Sequence, residues 1–326
     1  MTSTYNNVYV KDTYTIASIY EKDGPIKNYF DKIYDKDFYY GKSTFESAES
    51  FMLSDAINNI LKKEKNIDLI ISGDLQNQIS SSNYAIRDKK IPYLGIFSAC
   101  ATFGEGINIA AKFIEHREAS NVIVSTSSHN MVAEKQFRNP TEYGAPKKKT
   151  TTFTSTGAGC MLLSNEKSNI KITSSTIGRI CDKGIKDVNN MGAVMAIAAA
   201  DTIERHLKDL KKDPSYYDLI LTGDLGIYGK EILIEYLKSK KIDISKNYND
   251  CGLILYDIKK QSVFAGASGP ACSMLVTCSY IIEKLKERKY KRVLIVPTGA
   301  IFSPTRIFQK ESIPSIAHAF SMEVVK

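Results

Sequence analysis

The chain has 326 residues, of which 43% are hydrophobic, so it can bury a sizeable core and is not a disordered protein. Its formal net charge of +8 comes mostly from lysines scattered through polar segments. Such lysines usually mark solvated faces, and binding to nucleic acid or anionic lipid is the alternative. No apolar run approaches the roughly 20 residues of a bilayer-spanning helix, and the N-terminus lacks the pattern of a secretory signal.

The cysteines and histidines argue against a structural metal site. The six cysteines have no CxxC spacing, which favours reduced thiols in a cytoplasmic compartment. The four histidines are isolated from one another. We therefore expect no intrinsic metal and no structural zinc.

The predicted elements alternate between helices and buried strands. A helix-like run from Asp55 precedes the strand DLIISGDL, and a short strand, YLGIF, then leads to an amphipathic segment and the strand NVIVST. A second helix-like run, from Asp201, precedes a second set, DLILTGDL, a helix and VLIV. The strands TGAGCMLLS, NIKITSSTIG and SIAHAFSMEVV complete the pattern. This order predicts an α/β protein whose parallel strands are covered on both faces.

The chain contains an internal duplication. DLIISGDL at 68–75 recurs as DLILTGDL at 218–225, with six of eight positions identical. Thirty residues from Ala99 also align without gaps with thirty from Ala271, which pairs Cys100 with Cys272. The separations are too long for a solenoid repeat. We predict two halves, 1–183 and 184–326, within one compact unit.

Several longer segments resemble one family. EKDGPIKNYFDKIYD, SGDLQNQ, FSACATF, TSSHNMVAEKQFRNPTEYG, NDCGLILY and SPTRIFQKESIPSIAHAF recur in this order in the stage V sporulation AD family, from Glu21 to Phe320. The resemblance implies a thiolase-like duplicated fold, with two mixed sheets and a central helical layer. It also implies a sporulation protein that binds dipicolinic acid, or its calcium complex, and takes part in its uptake into the developing spore.

The same resemblance implies partners and a location. The expected partners are the membrane proteins of the stage V sporulation A operon, with no nucleic acid, and the expected location is peripheral, on the cytoplasmic face of the forespore inner membrane. No cofactor is expected beyond calcium carried with dipicolinate. A homodimer through the strand NVIVS or its neighbour is a further expectation.

Cys100 lies where superfamily enzymes carry their acyl-accepting nucleophile, before a helix whose dipole favours thiolate. It also fits a buried structural role. The neighbourhoods GDLGIYG and GASGPACS lack the His and Asn partners of the enzymes, so Asp224 is the nearest ionisable group and His318 a possible substitute. We expect no catalysis. An active thiolase or condensing-type acyltransferase using Cys100, or an assembly scaffold for a dipicolinate channel, are the alternatives.

The loop from Ser127 to Thr150 follows a buried strand and is the predicted ligand segment. His129 and Asn130 are predicted hydrogen-bond donors to dipicolinate, and Arg138 either grips a carboxylate or forms an internal ion pair. Tyr143 or Phe103 is predicted to cover the ring.

Asp74 and Asp224 occupy matching positions in the two repeats. They are candidate oxygen ligands for calcium. The alternative, which the symmetry favours, is that each caps the turn or helix that follows its strand.

Overall fold

The computed structural model describes residues 1–137 and 147–325. The strands are β1 Thr2–Thr4, β2 Tyr9–Ala17, β3 Lys32–Ile33, β4 Leu69–Gly73, β5 Tyr93–Gly95, β6 Asn121–Ser128, β7 Phe153–Thr154, β8 Gly157–Ser164, β9 Ile170–Thr176, β10 Leu219–Thr222, β11 Tyr248–Asp250, β12 Ala267–Ser268, β13 Arg292–Val296, β14 Thr298–Ala300, β15 Ser315–Ala317 and β16 Ala319–Val324. The α-helices are α1 Ile19–Lys22, α2 Phe45–Lys63, α3 Ser80–Ile86, α4 Thr102–Glu115, α5 Asn130–Phe137, α6 Met191–Leu210, α7 Gly226–Ser239, α8 Cys251–Leu255, α9 Pro270–Val276, α10 Ile282–Lys286 and α11 Pro304–Phe308.

The strand order shows the duplication directly. In the first half the order is β5-β4-β6-β8-β2, and in the second it is β11-β10-β13-β16-β9. Each group has three parallel strands followed by two antiparallel ones. The two groups join in one hydrogen-bonded path through the single pair Tyr9 and Lys171. The predicted pair of mixed sheets is thus present, with its inner strands in contact.

Helices cover both faces of the sheets, because successive side chains along each buried strand point to opposite faces. In β4, Leu69 and Ile71 pack into the central cluster with α4 and α9, whereas Ile70 packs on the opposite face against α2. In β10, Leu221 faces the central cluster and Ile220 faces α6. Successive strand residues point to opposite faces, so a continuous apolar run buries both. The result is the predicted αβαβα order.

The strand β9 belongs by pairing to the second half. It pairs with β16 along its length and with β2 at one position only. By strand pairing, β9 therefore belongs with the second group of strands, although it lies upstream of Gly184, where the sequence placed the division. The two-half organisation with its boundary at residue 184 stays a prediction.

The parallel strands set the position of the site. The loops that follow β4, β10 and β13 all leave from the carboxyl ends of parallel strands, where ligands bind in sheets of this kind. Within the part of the chain that the structure describes, no helix combines the length and apolar character that crossing a bilayer requires.

Candidate functional site

Cys100 lies in a tight turn just before α4. Ala99 has a φ of +50°, in the left-handed region, and the Thr102 hydroxyl holds the turn. That hydroxyl donates to the Ala99 carbonyl at 2.6 Å and accepts from the Ser98 N–H at 3.0 Å. Gly299 lies in strand β14, which packs against this turn. A Cβ at Gly299 would lie 2.3 Å from the Ser98 carbonyl oxygen, so only glycine allows β14 to approach the turn so closely.

Asp224 comes from the second half and is buried beside Cys100. Its Oδ1 accepts from the Thr298 hydroxyl at 2.7 Å, and its Oδ2 accepts from the Gly269 N–H at 3.2 Å. The Cys100 thiol lies near enough to this carboxyl group for the two to influence each other's pKa. Burial raises the pKa of Asp224 to about 7, although these hydrogen bonds partly offset the effect.

The surroundings of Cys100 disfavour a thiolate. Burial raises the pKa of the Cys100 thiol well above its ordinary value, and the negative charge of Asp224 and its hydrogen bond raise it further. The sequence-based expectation that the helix dipole favours thiolate here is therefore wrong, because burial and a neighbouring carboxylate outweigh a helix terminus.

A cavity of about 110 Å³ opens beside Cys100 and Asp224. Three phenylalanine rings line it, Phe97, Phe137 and Phe302, and the last two meet edge to face with centroids 5.5 Å apart. Its other apolar lining residues are Leu75, Ala99, Ala133, Val188, Met191, Met195 and Ala300. The cavity has an aromatic wall that can cover a flat ring.

The polar lining consists of a few separate groups. They are the side chains of Thr152, Thr154, Asn189 and Ser268 and the carboxyl groups of Asp224 and Glu134. Glu134 is buried and forms an ion pair with Lys147 at 2.9 Å. A small number of placed polar groups in a mainly apolar cleft is the usual composition of a small-molecule site.

His129 and Asn130 lie at the start of α5, but neither lines this cavity. The His129 Nε2 donates to the Phe38 carbonyl at 2.8 Å, and its Nδ1 accepts from the Met131 N–H at 3.2 Å. Asn130 uses its side-chain amide to donate to the Thr154 carbonyl at 3.2 Å. Both ring nitrogens of His129 are therefore engaged within the protein, and Asn130 braces the strand that forms the cavity wall.

His318 and Phe103 belong to the core. The His318 Nδ1 accepts from the Gly178 N–H at 3.1 Å, its Nε2 lies 3.4 Å from the Ser98 hydroxyl, and burial lowers its pKa to about 4. Phe103 is fully buried and meets Phe320 edge to face. His318 is thus a neutral structural histidine, and Phe103 does not reach the cavity.

The prediction that Asp74 and Asp224 each cap the turn or helix after their strand is right for Asp74 and wrong for Asp224. Asp74 accepts from the N–H groups of Gln76 and Ser82, each at 2.8 Å, so it caps the turn and helix after β4. The helix after β10 is capped instead by Asp250, which accepts from Leu225 and Gly226. Asp224 is thereby free to turn into the cavity, whereas Asp74 does not line it.

Arg138 and Tyr143 lie outside the described residues, and their predicted roles stay predictions. The residues that sequence reasoning missed are chiefly Phe97, Phe137, Phe302 and Thr298. Thr298 carried a signal, since it matches Thr126 in the duplication and follows a buried strand. The phenylalanines carried none, because only the folded chain brings together the end of helix α5 and the two loops that hold Phe97 and Phe302.

The whole chain is similar to one family of sporulation proteins. The family model described as stage V sporulation protein AD matches residues 2–323. The stage V sporulation protein AD of Bacillus subtilis (strain 168) is 45% identical over 320 residues, which cover 97% of this chain and 94% of the relative.

Solved structures with the same fold are more distant in sequence. An OleA variant from Xanthomonas campestris has a TM-score of 0.62 at 15% identity, covering 99% of this chain and 98% of the other. The 3-oxoacyl-[acyl-carrier-protein] synthase III from Aquifex aeolicus VF5 has a TM-score of 0.50 at 15% identity, covering 99% of this chain and all of the other. These likenesses show a thiolase-like fold.

Proposed function

Because the chain belongs to the stage V sporulation protein AD family, we propose that it binds dipicolinic acid or its calcium complex in the Cys100 cavity. One observation carries the proposal: a mainly apolar cleft with three phenylalanine rings has kept the position of the superfamily nucleophile, and a buried carboxyl group lies beside the thiol. The protein would act in sporulation as a receptor during dipicolinate uptake, without acyl transfer.

The charges of the lining favour the calcium complex over the free dianion. Besides the Cys100 thiol, the ionisable groups that line the described part of the cavity are the carboxyl groups of Asp224 and Glu134. Glu134 is paired with Lys147, and burial raises the pKa of Asp224 to about 7, so the lining offers a dianionic ligand no unpaired cation. The two carboxyl groups do supply oxygen atoms of the kind that calcium prefers. The rings of Phe97, Phe137 and Phe302 would cover the pyridine ring.

Equilibrium dialysis with dipicolinate alone and with equimolar calcium tests the proposal. We expect saturable binding that is tighter with calcium, and Phe302→Ala should weaken it about tenfold through loss of a ring contact. Phe308→Ala is the matched control, because Phe308 is 84% exposed and does not line the cavity. Absence of saturable binding under both conditions would contradict the proposal.

One solved neighbour, the 3-oxoacyl-[acyl-carrier-protein] synthase III, is an enzyme by its name, which keeps acyl transfer at Cys100 as the second candidate. Its chemistry needs a thiolate and a base, whereas the groups around Cys100 stabilise the protonated thiol. Incubation with acyl-CoA of several chain lengths, followed by mass spectrometry of the Cys100 peptide, separates the two. An acylated Cys100 would establish the enzyme and overturn the receptor-only proposal.

Family membership also supports, as part of the proposal, a peripheral position at the cytoplasmic face of the forespore inner membrane beside the other stage V A-operon proteins. Assembly of the chain as a dimer is a further part. Co-purification from sporulating cells with those membrane proteins tests the partnership.

A further inference from the structure

The positive charge of this protein is concentrated at one edge of the second half. Three segments, 205–218, 238–247 and 283–292, precede the parallel strands β10, β11 and β13. Together they contain 14 basic and six acidic residues, and the remaining chain contains 30 of each. The whole net charge of +8 therefore resides in these three segments, which we call the basic face.

The fold brings the three segments into contact. The Asn247 side chain donates to the carbonyls of Pro214 and Tyr217, which joins the second segment to the first. The Asp218 carboxylate accepts from the N–H groups of Lys291 and Arg292, which joins the third segment to the first. The basic face is thus one continuous surface at the amino ends of the strands, opposite the edge that holds the cavity.

Most of the cations on this face are exposed and unpaired. Eleven of the 14 basic side chains are exposed. The ion pairs that the three segments make are Arg205 with Asp201, Lys284 with Glu287 and Lys286 with Glu283. Several acids are occupied by other groups: Asp213 and Asp243 cap turns through Ser215 and Ser245. Ten exposed basic residues have no ion-pair partner within these fully described segments: Lys208, Lys211, Lys212, Lys238, Lys240, Lys241, Lys246, Arg288, Lys289 and Lys291.

The duplicated half provides an internal comparison. The equivalent segments of the first half are 55–68, 86–92 and 111–120, and they contain eight basic and six acidic residues. Lysines near helix C-termini are favoured by the helix dipole in both halves, so that effect alone predicts similar charges. The fold therefore does not explain the excess of basic residues in the second half.

We infer that the basic face is a docking surface for an anionic phospholipid membrane. It has no exposed large hydrophobic side chain within its three segments, whereas stable protein interfaces need an apolar core. Clustered lysines near a membrane each contribute favourable attraction to anionic lipid. Docking by this face would leave the cavity, at the opposite edge of the strands, open to solvent.

Nucleic acid fits the face less well. Single strands need exposed rings for stacking, but the Tyr216 ring is covered by Lys212 at 3.9 Å and by Arg292 at 4.3 Å, and Tyr217 is buried. This inference does not rest on dipicolinate binding. It deepens only the peripheral-membrane part of the proposed function.

Vesicle co-sedimentation at low salt tests the inference, with vesicles of phosphatidylcholine alone or mixed with phosphatidylglycerol. The triple variant Lys240→Gln, Lys289→Gln, Lys291→Gln should lower the partition coefficient onto anionic vesicles roughly a hundredfold. The matched control, Lys62→Gln, Lys65→Gln, Lys90→Gln, removes the same charge from exposed lysines of the first half and should stay close to the unmodified protein.

Three outcomes would overturn the inference. They are equal binding to neutral and anionic vesicles, equal loss in the two triple variants, and tighter binding to duplex DNA than to anionic vesicles at the same salt. Dialysis of the basic-face variant with dipicolinate tests the ligand proposal separately from the membrane inference. None of the three substituted lysines lines the cavity, so the variant should bind dipicolinate as the unmodified protein does.

Discussion

At the scale of single residues, the pair formed by Cys100 and Asp224 defines the chemistry of the site. A nucleophilic cysteine needs surroundings that lower its pKa, such as a cation or an adjacent base. Here the thiol lies beside a buried carboxyl group that Thr298 and Gly269 hold in place. The pair is suited to hold a ligand through neutral hydrogen bonds and poorly suited to acyl transfer.

Asp224→Asn should lower the pKa of Cys100, because it removes the neighbouring charge while keeping the shape of the side chain. Each unit of decrease raises the thiolate fraction about tenfold well below the pKa. Alkylation by iodoacetamide at several pH values, with mass spectrometry of the Cys100 peptide, measures the shift. Cys181, half-buried and outside the cavity, is the internal control, and an unchanged Cys100 profile would contradict the electrostatic account.

At the scale of elements, the two halves share the hydrogen bonds that join their parallel strands, but they differ in the residues around the cavity. Asp68 accepts from the N–H groups of Ser120 and Asn121, and Asp218 makes the same pair of bonds with Lys291 and Arg292. These bonds fasten the start of one parallel strand to the next. The second aspartate of each repeat has diverged, since Asp74 caps its own helix and Asp224 does not.

Asp68→Ala and Asp218→Ala should therefore destabilise the protein by similar amounts, about 1–2 kcal/mol each, because each removes two charge-assisted hydrogen bonds. Urea unfolding midpoints measure both losses. Asp88→Ala is a suitable control, since Asp88 is exposed and makes only a 3.5 Å surface contact with Arg87. A large difference between the first two variants would show that the framework is not equivalent in the two halves.

At the scale of the whole molecule, buried titratable groups make stability depend on pH from both sides. Burial lowers the pKa of His206 and of His318 to about 4, so the stability these groups contribute is present above pH 6.5 and is lost as pH falls through 4. Burial and the charge of Asp74 raise the pKa of Glu49 to about 8, so its contribution is present below about 4.5 and is lost as pH rises through 8.

Glu49→Gln should reduce the loss of stability between pH 5 and pH 8, because glutamine does not release a proton in that window. Urea midpoints at the two pH values, compared with those of the unmodified protein, measure the change. The slope should flatten only in part, since Asp224 and Asp250, with pKa values raised by burial to about 7 and about 6, titrate in the same range. An unchanged slope would show that Glu49 stays ionised.

The fold and the family could both be predicted from the amino-acid sequence alone. The repeats DLIISGDL and DLILTGDL carry both the apolar run of a doubly covered strand and the aspartate that fastens it, so local pattern was enough to predict two layered halves. Placing Cys100 before an internal helix followed from the same alignment. Such features depend on residues that are close together in the sequence, so they can be predicted before the structure is known.

The surroundings of Cys100, in contrast, depend on contacts that form when the chain folds. Asp74 and Asp224 are indistinguishable in sequence, yet Asp250, from another strand, caps the helix that Asp224 would otherwise cap. His129 and Phe103 are plausible ligand groups until hydrogen bonds and burial assign them to the protein interior. Side-chain direction and competition for hydrogen bonds are set by residues far apart in the chain, so sequence pattern does not fix them.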